Sequence, residues 1–325
     1  MEETFSAIKS RQTTILRFAG TLLALVLLIF LLREQGWEDI QAAVKQIGGW
    51  RLALALLLMF ISRMAVTGRW QVLLRSGGAQ VTPIQSLQIT LAGLFASNFL
   101  PTTIGGDVIR LAGAMRLKCD AAVSAASLIA DRLVGMGGML MMVPFGLPPL
   151  IQIRDIRDLI PTTNAVQISL AASPLGKLLY KSWERGKRIL ARLLSTLSLW
   201  LKEPRALLLA LIFTWIHQLC LFGVLAISFR GMGENISFWL IGGLYSLVYL
   251  ITLVPISING YGLQEISMTL VFSRLGGTSL ASSLTAALLF RTIMMLASLP
   301  GALFVPGLLS YSRQQPPKKT SQVSE

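Results

Sequence analysis

The sequence predicts an all-α fold, a polytopic integral membrane bundle with about seven or eight hydrophobic segments and an inverted repeat. Three observations support this prediction. The 325 residues are 54% hydrophobic and only 14% charged, whereas soluble domains carry ~25% charged residues. Several apolar runs reach the roughly 20 residues that cross the hydrocarbon core of a bilayer. Two motifs containing Pro and Gly interrupt the apolar pattern in the same order.

Hydropathy and charge place the spans along the chain. The predicted spans are 15–32, 50–74, 84–100, 121–145, 206–229, 236–254 and 281–309. Lys9, Arg11 and Arg17 precede the first span, and no small-residue cleavage site follows it. We therefore expect a retained span and a cytoplasmic N-terminus rather than a signal peptide.

The chain divides into two membrane halves and a linker. The predicted boundaries are a cytoplasmic N-terminus (1–14), membrane repeat 1 (15–149), a linker (150–205), membrane repeat 2 (206–309) and a disordered polar tail (310–325). Within the linker, 175–203 has the pattern of a basic amphipathic helix, which suits an anionic membrane surface. The alternative is a connector that only sets topology. Both interpretations make 175–205 cytoplasmic.

Each crossing reverses the side of the membrane. Segment 84–100 is predicted to cross outward, and 121–145 to return and deliver the basic linker inside, so that 206–229 leaves from that same side. The C-terminal side stays open. A single crossing by 281–309 would leave a basic tail outside, so either that segment does not cross simply or 262–275 adds a crossing.

The charge and the reactive side chains exclude several function classes. The net charge of +14 is explained by Lys and Arg in cytoplasmic loops, and no nucleic-acid-binding motif accompanies it. Cys119, Cys220 and the single histidine, His217, are too few for a disulfide framework or a zinc site. His217 lies within an apolar run, as a packed or hydrogen-bonded helix residue does. We expect no metal, no cofactor and no enzymatic activity.

The two interrupting motifs align with each other. "LPTTIGG" (100–106) matches "VPISING" (254–260), and each precedes a short amphipathic piece and a small-residue span with an arginine. Three predicted crossings separate the motifs, so the second copy is inverted, as in many transporters. Non-helical backbone at membrane depth must line protein or a wet cavity. The motifs are therefore predicted to break two re-entrant hairpins; ordinary extramembrane loops are the alternative.

Ionisable residues within spans are candidates for function. Asp107 and Arg110 are spaced to face each other on a helix. Asp131 and Arg132 are adjacent, so they point about 100° apart and need other partners. The predicted headgroup-binding residues are Asp107, Arg110, Asp131, Arg132, Glu265 and Arg291, with the hydroxyls of Thr102, Thr103 and Ser257.

Arginines near a restarting helix would form an anion-attracting centre. We expect Arg132 and Arg291 to take this role, and Glu265 to neutralise one of them. Structural ion pairs without a substrate are the alternative. Arg63 and Arg69 are weaker candidates, and Arg69 is expected to snorkel to a cytoplasmic membrane surface.

These motifs resemble a known family. "RW" (69–70), "SNFLPTTIGGDVIR" (97–110), Asp131–Arg132, "LVPISINGYGLQE" (253–265) and Arg291 are similar to signatures of the lysylphosphatidylglycerol synthase transmembrane region, also called the flippase-like family. The structural motif positions are Asn98, Pro101, Gly105, Gly106, Pro255, Gly260 and Gly262. Gln264 departs from the family, which often has a basic residue there, and so does Asp131, where Glu is common.

The resemblance implies an inner-membrane lipid translocator without the aminoacyl-transferase domain of the fused enzymes. It would move a phospholipid or polyprenyl-linked lipid between leaflets, with phosphate-bearing or anionic membrane lipids as its partners. The sequence has no ATP-binding motif, so transport is expected to be passive or gradient-coupled. The alternative is a non-transporting scaffold for a glycosyltransferase or lipid-modifying enzyme. A membrane enzyme with Asp107 or Asp131 as base is a third hypothesis.

Overall fold

The computed structural model describes residues 45–99, 105–151, 203–253 and 262–305, and the regular elements in these ranges are helical. The helices are α1 (Gly49–Ser76), α2 (Pro83–Phe99), α3 (Gly105–Arg116), α4 (Ala121–Met142), α5 (Leu147–Ile151), α6 (Pro204–Gly231), α7 (Phe238–Thr252), α8 (Leu263–Leu275) and α9 (Leu280–Leu296), with 3-10 turns at Val143–Gly146 and Leu299–Leu303. The predicted span 15–32, the amphipathic helix 175–203 up to residue 202, and the tail 310–325 lie outside the described residues.

The prediction of a polytopic helical membrane protein is confirmed. In the described ranges, the segments long and apolar enough to cross a membrane are Gly49–Ser76, Ala121–Pro149, Pro204–Gly231 and Leu280–Leu303. At 1.5 Å per residue, the two 28-residue helices extend about 42 Å, more than the ~30 Å hydrocarbon core. The outward face of α1 is an apolar stripe at helical spacing. Its exposed residues are Trp50, Leu54, Leu57, Ile61 and Met64.

Helices α1 and α6 are the antiparallel centre of the bundle. Leu73 of α1 packs in one cluster with Ala210 of α6, while Ile47, just before α1, lies beside Gly231. Between these two levels, Ser62 Oγ lies 2.6 Å from His217 Nδ1. The bundle therefore has two ends, named here the Ser76 end and the Gly231 end.

Helices α2 and α3 form a hairpin whose arms both open toward the Ser76 end. Val81, just before α2, packs with Leu74 near the end of α1, Ala114 near the end of α3 and Leu128 in α4. Helix α2 is about 26 Å long and α3 about 18 Å, so neither spans the hydrocarbon. The prediction that 84–100 crosses by itself is therefore wrong; this segment enters the membrane and α3 leads back to the same end.

Helices α7 and α8 form the equivalent hairpin at the opposite end. Phe229, at the end of α6, stacks on Phe272 of α8 with ring centroids 5.0 Å apart. Glu234, before α7, accepts a 3.0 Å hydrogen bond from the backbone N–H of Ser279, before α9. The order of hairpin and long helix seen in α2–α4 recurs upside down in α7–α9. The predicted inverted repeat is confirmed, and α8 adds no crossing.

The two ends of the predicted linker lie at opposite ends of the bundle. Phe145, following α4, stacks on Trp239 of α7 at 5.5 Å, so α4 ends near the Gly231 end. Helix α6 begins at the Ser76 end. The prediction that 206–229 leaves from the side where 121–145 arrives is therefore wrong. The error follows from counting 84–100 as a crossing, which reversed the predicted direction of 121–145, whereas 206–229 begins at the Ser76 end as predicted.

The two repeats meet deep in the bundle. Asn98 Nδ2, in the last turn of α2, donates a 2.9 Å hydrogen bond to Ser298 Oγ, just after α9. The turn Leu299–Leu303 then packs along α2, and Gly301 touches the backbone of Leu91. Since α2 belongs to the first repeat and α9 to the second, this contact fixes the two repeats against each other.

Gly243 is required for the packing of α7 on the turn after α4. A Cβ on Gly243 would overlap the backbone nitrogen of Gly146. We expect Gly243→Ala to destabilise the fold by about 1–3 kcal/mol, the usual cost of overpacking. The midpoint of unfolding in detergent micelles measures this loss of stability. Gly137→Ala on α4, where a Cβ meets nothing within 4 Å, is the control. Equal midpoints for the two variants would contradict the prediction.

Glu234 links the loops at the Gly231 end in a pH-dependent way. Burial raises its pKa, but hydrogen bonds from Ser279 and Ser282 outweigh this effect and hold the pKa below the ordinary value of 4.5. A lowered pKa stabilises the fold above the unfolded-state pKa, and this contribution disappears as the pH falls through the folded-state pKa. We expect Glu234→Gln to lower the unfolding midpoint well above pH 4.5 and to leave it unchanged well below.

The control for Glu234 is Glu203→Gln. Glu203 is exposed and its side chain makes no capping hydrogen bond to α6. We expect Glu203→Gln to change the unfolding midpoint little, and by the same amount well above and well below pH 4.5. A pH-independent effect of Glu234→Gln would show that the carboxylate charge is not what joins the two loops.

Candidate functional site

A cavity of about 250 Å³ with charged residues in its lining lies within the bundle. Its walls come from α1, α2, α3, α4, α6 and α7, so both repeats contribute to it. The charged lining residues are Arg63, Arg69, Asp107, Arg110, Asp131 and Arg132. With four arginines and two aspartates, the cavity has an excess of positive charge. This combination is expensive inside a membrane protein and makes the cavity a candidate functional site.

Asp131 is the central anion of the cavity. Its Oδ1 accepts a 2.6 Å hydrogen bond from Arg69 Nε, and its Oδ2 accepts a 3.0 Å hydrogen bond from Arg110 Nη2. All three side chains are at most 10% exposed. The prediction that Asp131 pairs with residues other than Arg132 is confirmed. The prediction that Arg69 snorkels is wrong, because its guanidinium is buried against Asp131.

The contacts of Trp70 show why a tryptophan follows Arg69 in the motif "RW". Its ring is fully buried, and its Nε1–H donates a 3.2 Å hydrogen bond to Ser127 Oγ. The guanidinium carbon of Arg110 lies 4.6 Å from the Trp70 ring centroid. A cation over an indole face is attracted to it, most strongly where water is excluded. Helix α1 therefore supplies one of the two cations around Asp131, Arg69, and its Trp70 holds the other, Arg110, in place.

The glycines of the first motif let α3 approach α2 closely. A Cβ on Gly106 would overlap Ser97 Oγ and would lie 2.6 Å from the carbonyl oxygen of Gly93. A Cβ on Gly93 would lie 2.7 Å from Arg110 Cγ. Only glycine at both positions leaves room for the backbone contact and for the Arg110 stem. The pair Gly105–Gly106 thus starts α3 at the cavity wall.

Asp107 pairs with Arg132 at the more open part of the cavity. Arg132 Nη2 contacts Asp107 Oδ2, and Arg110 Nη1 lies 3.8 Å from Asp107 Oδ1. The predicted facing of Asp107 and Arg110 is confirmed. The Arg132 side chain is 61% exposed and that of Asp107 24%. Asp107 lies in the first turn of α3, where the helix dipole favours a negative charge.

Glu265 and Arg291 form the equivalent pair in the second repeat. Arg291 Nε donates a 2.6 Å hydrogen bond to Glu265 Oε1, and both side chains are less than 10% exposed. Glu265 lies in the first turn of α8, which begins after Gly262, whose φ of 75° favours glycine. Glu265 therefore pairs with Arg291 rather than with Arg132. In the described part of the chain, this pair does not line the cavity.

The remaining predicted residues are described only in part. Thr102, Thr103, Ser257, Pro101, Pro255 and Gly260 lie outside the described residues. His217 lines the cavity, and its ring forms a hydrogen bond with Ser62, as expected for a hydrogen-bonded helix residue. The sequence analysis ranked Arg63 and Arg69 as weaker candidates, but both line the cavity. Their signal was the three-residue spacing of Arg63, Val66 and Arg69 on one helix face.

A comparison with known protein families identifies the family of this chain. The family described as lysylphosphatidylglycerol synthase TM region matches residues 17–301. The chain belongs to this family. No curated protein matches the chain. As a multi-pass membrane protein of the lysylphosphatidylglycerol synthase TM family, it carries its charged motif residues on the hairpin and long helix of each repeat.

Asp131 is expected to dominate the stability of the site. Asp131→Asn leaves Arg69 and Arg110 buried without a full countercharge, which costs about 3–5 kcal/mol when a buried pair is broken. Asp107→Asn, in the more exposed pair, is the matched control and is expected to cost ~1 kcal/mol or less. Equilibrium unfolding in micelles compares the two variants. A similar loss for both would mean that burial does not govern these ion pairs.

Proposed function

We propose that this protein is a lipid translocator of the flippase-like type in the inner membrane, not an enzyme. It would move a phospholipid or polyprenyl-linked lipid between leaflets. The observation that carries the proposal is a charged cavity at the meeting point of two inverted repeats in a membrane-spanning bundle. A headgroup can occupy such a cavity while its acyl chains stay in the bilayer, so the polar group never contacts hydrocarbon.

The positive excess of the cavity favours a phosphate-bearing headgroup. Guanidinium groups bind phosphate oxygens through strong charge-assisted hydrogen bonds. Arg132 is the most accessible of the cavity arginines, and its partner Asp107 is partly exposed. An incoming phosphate can replace Asp107 on Arg132, because Asp107 still has Arg110 Nη1 3.8 Å from its Oδ1. In this proposal, membrane lipids are the partners, and Asp107 holds Arg132 in place when the site is empty.

The two repeat-related ion pairs supply a mechanism for alternating access. Asp107–Arg132 is partly exposed, whereas Glu265–Arg291 is buried. Inverted repeats exchange their conformations when a transporter switches sides. We propose that the second pair opens and the first closes in the opposite state. Each pair then acts as a gate, and one repeat rocks against the other around the Asn98–Ser298 contact.

Reconstitution into liposomes tests this function. Purified protein is inserted into phosphatidylglycerol-containing vesicles with a fluorescent phospholipid, and a membrane-impermeant quencher reports the lipid that changes leaflet. We expect scrambling well above that of empty vesicles, and at least a roughly tenfold loss for Arg132→Ala or Arg291→Ala, because each removes charged hydrogen bonds.

The matched control is Arg75→Ala. Arg75 is an exposed arginine at the end of α1 and does not line the cavity. Its substitution is expected to leave scrambling unchanged. Scrambling at the empty-vesicle rate for wild-type protein, both with and without a proton gradient or membrane potential, would rule out the translocator proposal.

A further inference from the structure

Arg63 differs from the other arginines of the cavity. It lies on α1, it is only 5% exposed, and it lines the cavity. Arg69, Arg110 and Arg132 each contact an aspartate. Within the described ranges, no carboxylate lies within ion-pair distance of Arg63, and its Nε and Nη2 are buried without a hydrogen-bond partner. Arg63 is therefore a buried cation whose charge the described side chains do not balance.

Two other residues that line the cavity also carry unsatisfied polar atoms. Thr90 Oγ1 and Arg110 Nε are buried without partners, and both residues line the cavity. Three of the four unsatisfied atoms are guanidinium nitrogens, which can only donate hydrogen bonds. The fourth is a hydroxyl, which can also donate. Buried polar groups are almost always satisfied, so four unsatisfied donors on three residues that line one cavity favour a ligand rich in acceptor oxygens.

The charges point to the same ligand. Asp131 is already shared by two arginines, and Asp107 is engaged by Arg132. The four arginines and two aspartates leave the cavity two positive charges in excess. A cationic or neutral ligand would leave this excess unbalanced in a low-dielectric site. A phosphate group carries one or two negative charges and several acceptor oxygens.

We infer that Arg63 is the principal anion ligand of the cavity, where it binds a phosphate oxyanion with help from Arg110 Nε and Thr90 Oγ1. The planar guanidinium can donate two parallel hydrogen bonds, from Nε and Nη2, to two phosphate oxygens. The inference identifies the ligand at the site of the proposed translocation function. The binding itself does not require transport, and the phosphate can belong to a lipid headgroup or to a free phosphate ion.

Ligand binding to purified protein in uncharged detergent micelles tests this inference. The probes are inorganic phosphate, a short-chain phosphatidic acid and a diacylglycerol of the same chain length. Ligand that binds the folded state raises the unfolding midpoint. We expect the phosphatidic acid to stabilise wild-type protein and the diacylglycerol not to. Stabilisation by inorganic phosphate as well would mean that the anion suffices; stabilisation by phosphatidic acid alone would mean that the lipid chains contribute.

Substitutions separate a ligand-binding role from a structural role. Arg63→Gln is expected to weaken phosphatidic acid binding at least tenfold and, because it removes an unbalanced buried charge, to raise the ligand-free midpoint. Arg63→Lys keeps the charge but not the paired donors, so its affinity is expected to be intermediate. Thr90→Val is expected to weaken binding without lowering the ligand-free midpoint. Arg75→Gln, on the exposed end of the same helix, is expected to leave both quantities unchanged.

Two outcomes would overturn the inference. One is undiminished phosphatidic acid binding by Arg63→Gln and Thr90→Val. The other is a lower ligand-free midpoint, or failure to fold, for Arg63→Gln, which would show that Arg63 has a structural partner. The translocator proposal is tested separately. Arg63-dependent binding without scrambling would contradict translocation alone, whereas scrambling with Arg63-independent binding would contradict this inference alone.

Discussion

The buried carboxylate of Asp131 is the interaction on which the rest of the site depends. It joins α4 to α1 through Arg69 and to α3 through Arg110. In a bilayer, apolar side chains gain little by packing on each other rather than on lipid, so polar contacts and close packing must fix the helices. Because one anion holds two cations, the same contact also leaves the cavity positive. The stability of the bundle and the electrostatics of the site therefore have a common origin.

The two repeats place the same chemistry in different surroundings. In each, an acid in the first turn of the short helix pairs with an arginine of the following long helix. An ion pair near water is weak and exchanges readily, whereas a buried pair is costly to break because it leaves unbalanced charges. In the described conformation, Asp107–Arg132 is thus accessible to water, whereas Glu265–Arg291 is not. This asymmetry arises from packing, since the sequence pattern of the two pairs is nearly the same.

Hydropathy and periodicity predicted the helices and the inverted repeat, but not the side on which each helix begins. Segment 84–100 is as apolar as a crossing helix, and only its 17-residue length and its packing on α3 reveal a hairpin arm. Likewise, the paired acids were predictable from their position after a helix break. The contrast between Arg63 and Arg69 was not predictable, because both lie on α1. Only the packing of the neighbouring helices determines that Asp131 pairs with Arg69 and not with Arg63.

A site that moves a ligand must also release it. If all four cavity arginines were unpaired, a phosphate would gain several strong hydrogen bonds and remain bound. Asp131 offsets two of these arginines permanently, and Asp107 competes with any ligand for Arg132. In our proposal, Arg63 supplies the attraction that selects an anion, while the aspartates limit the strength of binding. The mixture of neutralised and unbalanced cations therefore suits the proposed translocation, in which binding and release must both proceed on the time scale of the conformational change.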